Sequence, residues 1–219
     1  FGRAREMKLI QALLEQTVED DAGGAVLVAG ESGVGKSRLK REVWADAVSR
    51  GFRTVEGQGL SNGGQPFQIW REVLKGLLLG IRVDAAEATV LSSVITDIEA
   101  VLGASVEQGL EFDASAMHAR FIDVAHRIVR RVNRPTLLVL EDLQWARSES
   151  LTLLRTIEDS LADVPVLIFA TYRDDEASAF IHGLDTASHI ELQRLGRSDI
   201  REVAGHTISA EQVDRGLVD

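Results

Sequence analysis

The stretch Gly30-Glu31-Ser32-Gly33-Val34-Gly35-Lys36-Ser37 fits the pattern G-x-x-x-x-G-K-[ST] of a phosphate-binding loop. Its surroundings fit as well. The apolar run Ala25-Val26-Leu27-Val28-Ala29 leads in as a buried strand. A helical pattern through Leu39, Val43 and Ala47 leads out. That order follows from physics. Glycines let the backbone fold back so that successive N–H groups of Gly30, Glu31, Ser32, Gly33, Val34 and Gly35 point inward, toward phosphate oxygens. The helix that begins at the loop, with Arg38 in its first turn, adds unpaired N–H groups and the positive end of its dipole. Lys36 is placed to reach the β- and γ-phosphates, and the Ser37 hydroxyl to hold Mg²⁺.

The chain has 219 residues, enough for one large domain, or one domain and part of a second. Hydrophobic residues make up 45% and charged residues 26%, the ordinary balance of a globular protein. With no cysteine, disulfides and thiolate metal sites are excluded, and a reducing cytoplasm is expected. No apolar stretch is long enough to span a bilayer, and no signal peptide is visible, so no membrane partner is expected. The net charge of −10 makes direct nucleic-acid contact by this segment a poor expectation. The chain opens on Phe1 rather than Met, which reads as a segment of something longer.

Helical periodicity runs over about 3–18, then from the phosphate loop to about Arg50, where Gly51 stops it. Phe52 to Gln58 reads as a strand, and Gly59 to Pro66 as a loop. Three helical segments follow, at about 67–80, 86–102 and 114–132. Thr136–Leu140 and Val166–Thr171 are continuous apolar runs of strand length, as in a parallel sheet covered on both faces. A helix at about 149–161 separates them, and a short strand is expected at Ser188–Leu192. Two short helices close the chain, near 199–205 and 210–217, with Ser198 and Ser209 as N-caps. Strands alternating with helices argue for a parallel α/β sheet.

Leu137-Leu138-Val139-Leu140-Glu141-Asp142 supplies a second half for the site. A central strand ending in two acids delivers carboxylates to the carboxyl edge of the sheet, where open α/β sheets bind ligands. One acid, Glu141, can hold Mg²⁺; the other, Asp142, can orient or deprotonate an attacking water. Thr171-Tyr172-Arg173 ends the next long strand, which should lie beside the phosphate-loop strand. A cation there, Arg173, would sense the γ-phosphate. No [NT]-K-x-D guanine reader is present, so adenine is favoured. The five histidines show no metal-ligand spacing, and Trp145 reads as packing, or as support for the acidic loop.

Phe1-Gly2-Arg3-Ala4-Arg5-Glu6 resembles the F-G-R-x-x-E opening of the signal-transduction ATPases with numerous domains (STAND), relatives of the AAA+ ATPases. Gly30 to Leu39 is similar to their G-E-x-G-x-G-K-S-R-L. Leu138 to Ala146 is similar to their L-V-L-D-D-L-H-W-A, and Ala170-Thr171-Tyr172-Arg173 to their sensor strand. Leu192-Gln193-Arg194-Leu195 with Ser198 resembles the turn into their lid. Within that class it resembles ATPase modules of MalT-like and LuxR-type regulators, large adenylyl cyclases and some Ser/Thr kinases. It implies a three-layer AAA+/ASCE-like P-loop NTPase: a mostly parallel five-stranded sheet flanked by helices. A core at 1–195, with a helical insert at about 67–132, would be followed by the start of a small helical lid at 196–219. It also implies a switch, resting with ADP and opened by ATP for self-association and output through other domains of a longer protein. Lys36 would bind phosphate, Ser37 and Glu141 would serve Mg²⁺, Asp142 would position water, and Arg173 would be the sensor. The backbone of Phe1 to Arg3, Gly2 included, would lie against adenine. Glu141 stands where an Asp is commoner, Gln144 replaces a His, and Arg147 replaces an Asp.

Three other functions compete. A small-molecule kinase needs an Arg-rich lid, which does not follow the sensor strand. An ATP-driven remodeller needs an arginine finger and usually basic surfaces. A nucleotide-stabilised scaffold without turnover would not need both Glu141 and Asp142.

Overall fold

Apolar runs of strand length can bury both faces only in the middle of a sheet, and the strands that carry them sit there. The computed structural model describes residues 3–61, 64–106, 113–176, 184 and 186–194. Five strands, β1 (Gly24–Ala29), β2 (Arg53–Gln58), β3 (Thr136–Glu141), β4 (Val166–Tyr172) and β5 (Ser188–Glu191), form one sheet in the order β2-β3-β4-β1-β5. Every pair is parallel. All five strands therefore end at one edge. β4 lies between the phosphate-loop strand and the acidic strand, pairing Val28 with Thr171 and Leu140 with Ala170.

The period of two along each strand divides the core. Val26, Val28, Leu137, Val139, Leu167 and Phe169 face α1 (Ala4–Glu19) and α2 (Lys36–Ser49), and pack with Ile10, Leu14, Leu39 and Val43. Leu27, Leu138, Leu140, Ile168 and Ala170 face the other way, into the core that holds the remaining helices. Those are α3 (Gln68–Leu78), α4 (Ala85–Ser92), α5 (Ile98–Leu102), α6 (Ala114–Arg130) and α7 (Ser148–Glu158). Trp70 of α3 is fully buried there, and its indole N–H donates to the Ser150 carbonyl at 2.9 Å. The result is the expected three-layer sandwich.

The expected helix over 86–102 is two helices. α4 ends at Ser92, and Asp97 opens α5. Ser92-Ser93 and Thr96-Asp97 are weak helix formers. Asp97 instead pairs with Lys75 of α3 at 2.8 Å, while Val94 and Ile95 stay buried through the break. The helix expected at 149–161 ends at Glu158, followed by a 3-10 turn at Leu161–Asp163. The two short helices expected near 199–205 and 210–217, with Ser198 and Ser209, lie outside the described residues. Among the described residues, no helix is long and apolar enough to cross a membrane.

Gly57 shows how tightly α3 is seated on β2. A Cβ at this position of β2 would stand 1.8 Å from the Ile69 carbonyl oxygen of α3. Backbone cannot yield as a side chain tip does. Gly57→Ala is expected to lose about 1–3 kcal/mol of stability through overpacking, read as a lower urea midpoint. An unchanged midpoint would mean that α3 does not press on β2.

Candidate functional site

The phosphate loop joins β1 to α2. Gly33 and Gly35 have φ of 77° and 107°, a region that side chains with a Cβ rarely adopt. Gly35 is also the residue before α2, so the loop hands directly over to a helix N-terminus. The Lys36 ammonium arches back over the loop, donating to the carbonyls of Gly30 at 2.6 Å and Glu31 at 2.9 Å. Ser37 follows as the second residue of α2, and its side chain is exposed with Arg38.

Two arginines from distant parts of the chain tie down the outer rim. Arg3 donates to the Val34 carbonyl at 3.2 Å and to the Gln193 carbonyl, and pairs with Glu6 at 3.3 Å. Arg194, just beyond β5, pairs with Glu31 at 2.7 Å. Between them lies a cleft of about 250 Å³ lined by Gly30, Glu31, Val34, Asp174, Glu191 and Gln193, among others. The guanidinium of Arg3 thus reaches the loop, whereas the expectation concerned its backbone against adenine; Phe1 and Gly2 lie outside the described residues, as does Leu195.

Asp142 follows β3 at the same edge of the sheet. The strand ends at Glu141, and Asp142 takes a left-handed conformation with φ 58°, which Asp tolerates better than most residues. One carboxylate oxygen accepts from the Gln58 amide at 3.2 Å, and the other from the Gln144 amide at 3.1 Å. The Gln144 carbonyl oxygen in turn accepts from the Arg173 N–H at 3.0 Å. Gln144 therefore links the acidic loop to the end of β4. Asp142 N–H also points to the Thr171 hydroxyl, 3.4 Å away. The Arg173 guanidinium stands 5.3 Å from the centre of the Trp145 ring, a cation–π geometry. Trp145 lies in the 3-10 turn Leu143–Trp145 after Asp142.

Glu141 faces the opposite way, toward α2, in phase with Leu137 and Val139. Lys40, one turn along α2 from Lys36, reaches it at 2.6 Å and reaches Glu56 of β2 at 2.8 Å. Burial and the neighbouring Glu56 carboxyl push Glu141 above the usual carboxylate range, against the pull of Lys40. Burial also works against ionised Glu56, but its hydrogen bonds with Glu141 and Lys40 outweigh that and leave it below the range. Burial likewise opposes charge on Lys40, and the two carboxylates more than offset it, raising the ammonium.

The donor set suits Mg²⁺ carried by a nucleotide rather than a resident metal. Among the described residues, no three His, Cys, Asp or Glu side chains converge as a cage. The hydroxyl and carboxylates are hard oxygen donors, and Mg²⁺ is ordinarily held by one or two of these plus phosphate and water.

A family profile described as the AAA ATPase domain matches residues 1–169. The chain belongs to this family. No curated protein matches the chain. Among solved structures, the Drosophila origin recognition complex bound to DNA is similar, with a TM-score of 0.60 at 15% identity. The match covers 99% of this chain and 48% of that one. The Aeropyrum pernix ORC1 protein in complex with DNA has a TM-score of 0.55 at 12% identity, over 95% of this chain and 49% of that one. AMPPCP-bound DnaA from Aquifex aeolicus has a TM-score of 0.50 at 13% identity, over 95% and 51%. This chain thus spans about half the length of each. At such identities the likeness is one of fold: a parallel α/β P-loop NTPase sheet flanked by helices.

The structure gathers Lys36, Ser37, Glu141, Asp142 and Arg173 at the single edge where the strands end. Sequence reasoning passed over Lys40, Glu56 and Gln58, and noted Gln144 only as a replacement for His. One signal was available: Lys40 follows Lys36 by one helical turn, on the same face.

Proposed function

We propose that this segment is an ATP-binding, slowly hydrolysing regulatory switch within a longer cytoplasmic signalling or transcription-regulating protein of the STAND type. One observation carries the reading. The segment before α1 and the segment after β5 both fasten onto the phosphate loop, through Arg3 to Val34 and Gln193, and through Arg194 to Glu31. Whatever occupies the loop is therefore felt where the chain passes toward the proposed lid at 196–219. The cleft between these segments is where the adenine would lie, with phosphates on the N–H groups of Gly30 to Ser37 and on Lys36. Ser37 and Glu141 would hold Mg²⁺, which when bound neutralises phosphate charge. Asp142, held by Gln58 and Gln144, would orient water. Arg173 would report the γ-phosphate along the Gln144 link. A remodeller is the alternative, and only the likeness of fold favours it.

The mass of the protein in solution, with ADP and with a non-hydrolysable ATP analogue, tests the switch. The ATP-like form is expected to self-associate and the ADP form to stay smaller, with turnover below the ~1 per second that opens the usual enzyme range. Fast turnover with equal mass in both states would favour a remodeller or simple hydrolase.

A further inference from the structure

Lys40 occupies the carboxylate that the nucleotide's metal ion would need. Its ammonium lies 2.6 Å from a Glu141 oxygen and 2.8 Å from a Glu56 oxygen; Lys40 and Glu141 are largely shielded from water, and Glu56 is half-buried. An ammonium at this distance repels a divalent cation that approaches the same carboxylate, so the two compete for Glu141 unless the ammonium moves aside. Glu56 nevertheless gives Lys40 a second partner in the same cluster, so the ammonium can leave Glu141 without losing its counter-charge.

We propose that Lys40 is a resident counter-ion that competes with Mg²⁺ for Glu141, with Glu56 as the partner that retains it when the metal engages. The proposal rests on the metal-bound nucleotide of the preceding section and concerns only how this chain's residues respond to it. Before engagement, Lys40 neutralises Glu141 and holds β3 to α2. On engagement it stays on Glu56, and Glu141 turns from ion-pair partner to metal-facing acid. Binding of nucleotide alone and binding of nucleotide with Mg²⁺ should then differ less than an unoccupied acid would allow.

The readout is the ratio of dissociation constants for a non-hydrolysable ATP analogue without and with MgCl₂, measured calorimetrically. In the double variant Lys40→Met/Glu56→Gln, Glu141 loses its competitor while the net charge of the cluster stays the same. The ratio is expected to rise about tenfold, equivalent to ~1.4 kcal/mol. In Glu56→Gln alone, Lys40 keeps only Glu141 and the ratio is expected to fall. A purely structural role for Lys40 would shift both affinities together and leave the ratio unmoved, and that outcome overturns the proposal. So does a fall in the double variant, which would mean that Lys40 assists the metal. Failure of the wild type to bind the analogue under either condition would overturn the nucleotide reading as well, and so is distinguishable from both.

Discussion

Lys36→Ala lowers the affinity for ATP and ADP by more than about 100-fold, with the fold intact. The ammonium is the one cation of the phosphate loop itself, and it already bonds the Gly30 and Glu31 carbonyls that shape the arch. Hydrogen bonds from a charged donor contribute about 1.5–3 kcal/mol each. Losing one or two of them to phosphate oxygens, in a loop whose other donors are neutral N–H groups, gives a loss of that order. Lys36 lies outside both apolar clusters, so the fold should survive, but losing its two bonds to the loop carbonyls should lower the unfolding free energy without nucleotide by about 1–3 kcal/mol. Calorimetric titration of both proteins checks this. Retained affinity in the variant would mean that phosphate is not held by this loop.

Asp142→Asn retains ATP binding and loses turnover by about 10²–10⁴-fold, the usual contribution of a positioned base. Asn accepts the left-handed backbone at φ 58° as readily as Asp does, so the loop should keep its shape. The side chain is the difference. Both carboxylate oxygens accept from amide groups, of Gln58 and Gln144. In Asn, one of those oxygens becomes an NH₂ group facing another NH₂ group, and one glutamine must turn away. Asparagine also cannot take a proton from water. Phosphate release and ATP affinity, measured side by side, separate the two effects. Hydrolysis at the wild-type rate would remove Asp142 from the reaction.

The parts of the fold that local pattern dictates were legible in the sequence. The phosphate loop, the apolar strands Thr136–Leu140 and Val166–Thr171, and the placement of β4 beside β1 all follow from composition and spacing. The break at Ser93–Asp97 was not, because Val90, Val94, Ile98 and Val101 keep helical phase through it. The weak helix formers Ser92-Ser93 and Thr96-Asp97 break it, and a tertiary contact, Lys75 to Asp97, goes with the break. The Lys40–Glu141–Glu56 cluster was hidden for a similar reason. It exists because β2 lies beside β3 with Gln58 opposite Glu141, a register between segments far apart in the chain. The same register brings Gln58 to Asp142. Gln144 shows a further limit: as a replacement for His it looked like a loss, yet its amide has both a donor and an acceptor and uses them on Asp142 and Arg173.

Titrating Mg·ATP and Mg·GTP into the purified wild-type protein, after identifying any nucleotide that denaturation releases, tests the central claim most directly. One adenine nucleotide per chain, carried through purification or bound in the titration in preference to guanine, is the expected result. A protein that releases no nucleotide and shows no heat of binding with either would contradict it.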